Sequence, residues 1–357
     1  MKKLKVIQII DSLNVGGTEV LAVNIANTFI TCDVESHLCT TRKEGFLKEK
    51  INDDVGYIYL NKKLTFDIKA LLKLKKYIKL NNINVIHAHS TSLFFSCCLK
   101  VLYPNIRLFW HNHTGANYHL KGIKFRIIRF LSHFSDGIIN VNSELNEWSK
   151  KRLKHKNTVK LNNFPLFMDL EIKTKLYGEE NKRIVSLAAL RPEKDHLNLL
   201  KAFKEVNKAH SDWTLHLIGK DYKNEYSKKI KNYIIKENLI KSVYLYDMCS
   251  DIKNILEQAS IGVLSSENEG LPISLLEYGL ANLPVLTTDV GECKNVINHH
   301  KAIVVPKRSD IFAKALIEII ENDLLKNEIS ESLNNNVIST FSKEKFIFKV
   351  KNFYNNK

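Results

Sequence analysis

Short runs rich in valine and isoleucine alternate along this chain with stretches that are apolar at helical spacing, and no other feature limits its fold as much. Strands are expected over residues 5–10, 36–40, 57–60, 85–89, 107–110, 138–141 and 159–161. Helices are expected between them, including a lysine-rich one over 69–79 and others over 93–101 and 125–134. After a polar stretch the rhythm restarts, with strands at 184–188, 214–218, 243–246, 261–264, 285–287 and 303–305. The second set of helices falls at 198–207, 226–236, 252–258 and 311–333, with one more opening at Pro272. Repeated strand–helix–strand units make parallel sheets covered on both faces. The fold class is therefore α/β, with two Rossmann-like doubly wound domains facing a cleft. Their expected bounds are 1–165 and 183–340, with 166–182 as linker. The tail, 341–357, is apolar at helical spacing. At 357 residues the chain is long enough for two cores.

Several function classes lose support at once. No apolar run reaches the roughly 18 to 20 residues that a membrane-spanning helix needs. The opening, from Met1 to Asp11, has too short an apolar core for a signal peptide and reads as a first strand. Six cysteines without Cys-x-x-Cys spacing suit a reducing, cytoplasmic setting. The strand ends lack Gly-x-Gly-x-x-Gly, which removes support for a dinucleotide-dependent dehydrogenase. The net charge of +16 is uneven: residues 1–170 carry 26 Lys and Arg against 13 Asp and Glu. No nucleic-acid motif accompanies that charge, so the partner it suggests is an anionic membrane surface or a phosphorylated acceptor. The plain alternative is that these lysines only keep the protein soluble.

The chemistry gathers around the stretch from Ser265 to Glu277. A short apolar strand, 261–264, runs into polar residues carrying Glu269 and Gly270; Leu271 and Pro272 follow, and then a helix holding Glu277. A turn at Gly270 and Leu271 lets both carboxylates face one crevice at a strand's carboxyl end, where open α/β sheets bind ligands. Two solvated surface acids are the alternative at this spacing. Earlier in the chain, Gly16-Gly17 follows the first strand and opens a helix, a place for backbone N–H groups to meet an anion. His87-Ala-His89 ends a strand with both rings on one face. A metal pair is conceivable there, but no third ligand has suggestive spacing, so no metal site is expected.

The stretch from Glu269 to Glu277 closely resembles the signature of retaining, nucleotide-sugar-dependent glycosyltransferases of family 4, which have the two-domain GT-B fold. The resemblance covers about residues 10 to 300. It implies that Glu269 faces the transferred sugar, Glu277 takes the ribose hydroxyls, and Gly270, Leu271 and Pro272 shape the donor site. It carries Gly16 and Gly17 onto the family's glycine loop, His89 onto the cleft histidine, and His113 (with His111 as the alternative) onto a second one. Asp136 and Ser143 match positions read as structural. Lys194 matches the lysine of an Arg/Lys pair on the donor diphosphate, but the arginine's position holds Ala189. Arg191, two residues away, is the candidate replacement. Gly219 matches the glycine near the nucleobase, and Asp289-Val-Gly-Glu a later loop of the donor site.

Catalysis is thus expected from His89, Glu269 and Lys194, with Lys121 and Arg126 beside His113 on the acceptor side. The co-substrate is expected to be a nucleotide sugar, UDP ahead of GDP, with no cofactor. No Asp-x-Asp ends a strand, which argues against a metal-clamped diphosphate. The expected acceptor is a glycan or polyprenyl-linked glycan in cell-surface polysaccharide synthesis. Loops 61–67 and 116–124 would set its identity, in a cytoplasmic protein resting on the inner face of the membrane. The rival reading, prompted by Ala189, is a weak or silent glycosyltransferase-like subunit that binds a partner.

Overall fold

Val6, Ile7, Ile9 and Ile10 are all buried, so β1 (Lys5–Ser12) is covered on both faces, as a central parallel strand must be. The computed structural model describes residues 3–14, 16–113, 120–167 and 171–355. After β1 come α1 (Gly17–Ile30), β2 (Glu35–Lys43), β3 (Gly56–Tyr59), α2 (Ile68–Leu80), β4 (Val85–His89) and α3 (Leu93–Leu102). They are followed by β5 (Arg107–Asn112), α4 (Gly122–Ser132), β6 (Gly137–Asn140), α5 (Ser143–Lys151) and β7 (Thr158–Lys160). The seven strands pair in the order β3-β2-β1-β4-β5-β6-β7, all parallel. The winding direction reverses between β1 and β4.

A second parallel sheet holds β8 (Arg183–Leu187), β9 (Thr214–Ile218), β10 (Val243–Tyr246), β11 (Ile261–Leu264), β12 (Val285–Thr288) and β13 (Ile303–Val304). Its order is β10-β9-β8-β11-β12-β13, with the reversal between β8 and β11. The helices of this part are α6 (His196–Ala209), α7 (Glu225–Lys236), α8 (Ile252–Glu257), α9 (Ile273–Leu280), α10 (Cys293–Ile297), α11 (Ser309–Glu321) and α12 (Asp323–Thr340). A last helix, α13 (Lys343–Asn355), follows. The chain divides into two units, Met1–Phe164 with Lys343–Lys357, and Pro165–Ser342.

Local features depart from the sequence expectations, among them a short helix, α10, that the expectation lacks, and four others. The single helix expected over 311–333 is two, because extended Asn322 breaks it and its side chain accepts the Leu325 N–H to cap α12. Pro272 has ψ 115° and stands just before α9 instead of opening it. The expectation omits α5, although Asn142 carries a capping signal and accepts from the Leu145 N–H. Finally, the stretch expected as linker is tied to the second unit. The Lys173 and Thr174 N–H groups donate to Asp251 at 2.9 and 2.7 Å, and the Leu176 N–H to Gln258 at 3.0 Å. Its polar composition hid the partners waiting at the two ends of α8.

α13 belongs to the first unit through its apolar face. Phe346, Ile347, Val350, Phe353 and Tyr354 are buried, and the Tyr354 ring lies 4.8 Å from that of Phe109 on β5. Lys351 Nζ donates to the Cys32 carbonyl just beyond α1, at 2.7 Å.

Candidate active site

In the second unit the loops after β8 and β11 flank the reversal point of the sheet, where open α/β sheets bind ligands. A short turn, Pro192–Lys194, brings Lys194 up from the β8 side, and the 265–272 loop brings Glu269 from the β11 side. Lys194 Nζ meets Glu269 Oε1 at 2.5 Å, and Ser266 Oγ donates to the same oxygen at 2.7 Å. The Glu269 side chain is 8% exposed and that of Lys194 24%, so the pair lies largely out of water. The two loops are also joined by backbone, since the Glu267 N–H donates to the Glu193 carbonyl at 2.9 Å. Gly291 fixes the other side of Glu269. Its φ is +54°, and an added Cβ would meet the Glu269 carbonyl at 2.2 Å, so no other residue fits. The later loop singled out in the sequence therefore supports Glu269 by close backbone approach.

Glu277 sits on α9, and its carboxylate makes no hydrogen bond or ion pair with a described residue. Burial raises its pKa to about 7. An acid left so short of donors is suited to hydroxyl groups brought by a ligand. Gly219, at the end of β9, has φ +154°, and an added Cβ would meet the Ala188 carbonyl at 2.3 Å. The two strand ends thus press together where the resemblance puts the nucleobase. Arg191 stacks its guanidinium 4.9 Å from the Tyr222 ring centre and donates to the Tyr222 hydroxyl. Leu271 is buried and Gly270 accepts the Glu292 N–H at 2.9 Å.

In the first unit β4 and β5 bring four imidazoles together. The His87 and His89 rings stack 4.5 Å apart, and the His111 and His113 rings lie 3.9 Å apart. His87 Nε2 is 2.9 Å from His111 Nδ1, and His87 Nδ1 is 2.5 Å from the Tyr354 hydroxyl. His89 Nε2 lies 2.8 Å from Gln8 Oε1, so that nitrogen carries the proton. His89 Nδ1 therefore accepts from His113 Nε2, 3.0 Å away. Both nitrogens of His89 are engaged and its side chain is buried, which places it to orient His113. His113 is the more exposed of the two, and its Nδ1 is left as an acceptor. Burial lowers the pKa of all four rings, to about 3 for His87 and His113. The group is neutral at physiological pH.

His111 is the third ring that sequence spacing did not reveal: nitrogen atoms of His87, His89 and His111 lie within 4.8 Å of one another. His87 faces Tyr354 and His111, and His89 faces Gln8 and His113, all at hydrogen-bond distance, so the group fits a proton-ordered chain better than an open metal-ligand set. Gln8 on β1 and Tyr354 on α13 also escaped the sequence reading, because each is brought in from a distant element. At the glycine loop the anion facing the start of α1 is the chain's own. An added Cβ on Gly16 would meet Glu19 Oε2 at 2.5 Å, and burial, with a smaller contribution from Asp11, raises the Glu19 pKa. Nothing crowds Gly17. Lys121, just before α4, and Arg126 on it are exposed and make no hydrogen bond or ion pair with a described residue. Of the expected loop 116–124, residues 116–119 lie outside the described residues, as do Val15 and residues 168–170 of the expected linker.

Comparison with known proteins agrees with this architecture. Residues 168–339 match the family Glycosyl transferases group 1, and residues 15–160 match Glycosyltransferase Family 4. The Escherichia coli UDP-Gal:alpha-D-GlcNAc-diphosphoundecaprenol alpha-1,3-galactosyltransferase is 24% identical, over 88% of this chain and 87% of its own. The capsular polysaccharide biosynthesis glycosyltransferase CapH of Staphylococcus aureus is 24% identical, over 84% of this chain and 85% of its own. Among solved structures, Anabaena HepE in complex with UDP and glucose matches with a TM-score of 0.82 at 16% identity, covering 99% of this chain and 100% of that one. The fold is the two-domain GT-B fold, and the chain belongs with the GT-B glycosyltransferases.

Proposed function

We propose that this protein transfers a hexose or N-acetylhexosamine from a UDP-sugar to a glycan or polyprenyl-linked glycan acceptor, with retention of configuration, in cell-surface polysaccharide synthesis. The observation that carries the donor assignment is the Lys194–Glu269 pair at the sheet reversal, with the unpartnered Glu277 carboxylate on the following helix. Lys194 would meet the diphosphate and stabilise the charge that grows as the sugar leaves. Glu277 would accept two ribose hydroxyls, and Glu269 would turn from Lys194 toward the sugar. In the first unit His113, oriented by His89, would contact the transferred sugar. The galactosyltransferase relative, whose name gives a UDP-sugar donor and a diphosphoundecaprenol acceptor, supports the choice of nucleotide and acceptor class. Residence at the inner face of the cell membrane follows from such an acceptor, and among the described residues no helix is long and apolar enough to cross a membrane.

The test is transfer by purified protein from a panel of UDP- and GDP-sugars to lipid-linked monosaccharides, with the product's anomeric configuration read by NMR. Turnover from a UDP-sugar that survives EDTA is expected, because Lys194 supplies the cation. Activity abolished by EDTA and restored by manganese, or no binding and no turnover with any donor, would sink the proposal. One observation favours the rival silent subunit: Ala189 stands at the arginine position, while Arg191 is held against Tyr222. If that reading held, Ala189→Arg would create turnover in a protein that otherwise has none.

A further inference from the structure

The reversal point of the first sheet holds a second polar group, separate from the histidines. Asp11 ends β1, Thr41 and Arg42 end β2, Lys62 follows β3, and Thr91 follows β4. Asp11 is already supplied with donors. Its Oδ1 accepts from Thr41 Oγ1 at 2.5 Å and its Oδ2 from Thr91 Oγ1 at 2.6 Å. The two cations stand further off, Lys62 Nζ and Arg42 Nε each 3.9 Å from Oδ1, beyond hydrogen-bond reach.

Lys62 is the unusual member. Its side chain is 4% exposed, yet among the described residues no atom accepts a hydrogen bond from its ammonium. The Phe95 ring centre lies 4.6 Å from its Nζ, and Cys39 and Asp67 are within electrostatic range. Burial lowers its pKa, and the Asp11 charge works against that fall. A buried ammonium has three donors to satisfy, and leaving them unmet is costly. The chain holds it in place regardless, because the Lys62 N–H donates to the Thr41 carbonyl at 2.7 Å. Arg42, 38% exposed, opens the same group to solvent. Neither Lys62 nor Arg42 is hydrogen-bonded to Asp11, whose oxygens already accept from two hydroxyls, so both cations keep free donors at a ligand-binding edge.

We propose that Lys62 and Arg42 form an oxyanion subsite that takes a phosphate ester, with Asp11 fixing their spacing through Thr41 and Thr91. In the enzyme this ester would be the phosphoryl group of a phosphorylated sugar acceptor. That role rests on the proposed function; the subsite itself does not. The chemistry is shared by free phosphate and by a sugar phosphate, and a titration tells them apart.

Inorganic phosphate, N-acetylglucosamine 1-phosphate and N-acetylglucosamine are each titrated into the full chain by calorimetry, with UDP present at saturation. The sugar phosphate is expected to bind more tightly than phosphate, and the neutral sugar least. Lys62→Met is expected to weaken sugar-phosphate binding at least tenfold, or about 1.4 kcal/mol. Arg42→Met should weaken it several-fold, while Lys62→Arg and the control Lys69→Met retain it. If Lys62→Met does not fold, Arg42→Met and Lys62→Arg decide the matter. Equal affinity in wild type and Arg42→Met, displacement of phosphate by UDP, or no phosphate binding at all would overturn the subsite. Sugar-phosphate binding without UDP binding would instead keep the subsite and remove the donor reading.

Discussion

Lys194 and Glu269 neutralise one another in a place that water reaches poorly, and that coupling can be measured. Removing one partner from such a pair leaves the other charge stranded, at a cost of about 3 kcal/mol. Lys194→Met should therefore lower unfolding free energy by roughly that amount. The double variant Lys194→Met/Glu269→Gln should lose much less than the two single losses added together. Additive losses in denaturant titrations would mean that the pair is not coupled. The same lysine should matter more to turnover, where losing one charge-stabilising donor typically costs about 100- to 1,000-fold in kcat. Glu277 gives a pH signature. Its pKa rises on folding to about 7 from an ordinary 4.5, so the native protein holds a proton that the unfolded chain releases. Stability from this group is full below the unfolded value and lost as pH rises through about 7. Glu277→Gln should thus melt higher than wild type at pH 8 and close to it at pH 4.5. A gain of the same size at both pH values would contradict the burial argument.

At the scale of elements, the strands carrying the chemistry were legible because each is a short apolar run in a parallel sheet. Strand boundaries at 85–89, 214–218, 243–246 and 261–264 agree with the structure to the residue. His87 and His89 were legible as a pair because alternation puts them on one face, and the same rule applied to His111 and His113 shows why those two also meet. What sequence could not supply was the partner across elements. Tyr354 is 267 positions from His87, and no local pattern links them. Lys62 carries no motif at all, so only its burial marks it. The role of α13 can be tested directly. Tyr354→Phe keeps the ring and removes the hydroxyl that meets His87, at an expected cost of about 1 kcal/mol. Tyr354→Ala also empties the space beside Phe29 and Phe109 and should cost about 3 to 5 kcal/mol. Proteolysis of that variant should attack the first unit before the second. Equal protection of the two units would show that α13 does not support the first.

For the whole molecule, the two sheets repeat one design, with candidate groups at the reversal point of each: Asp11, Lys62 and the histidines in one unit, Lys194 and Glu269 in the other. The positive excess lies in the first unit, and it has an apolar companion. Ile123, Ile127 and Phe130 are exposed at helical spacing on α4, with Lys124 and Arg126 exposed on the same helix. Anionic vesicles should therefore bind the protein at low salt and release it at high salt, since screening weakens surface attraction. Lys73 donates to the Tyr59 carbonyl, so Lys69 and Lys76 on α2 are the freer choices for charge reversal. Equal binding to neutral vesicles would assign the attachment to the apolar residues alone. The central claim is that the second unit takes the nucleotide through Glu277. Titrating UDP at pH 8 into wild type and Glu277→Gln by calorimetry tests it most directly. The account predicts binding in wild type and a loss of at least tenfold, about 1.4 kcal/mol, in the variant; equal affinity in both, or no binding in either, would contradict it.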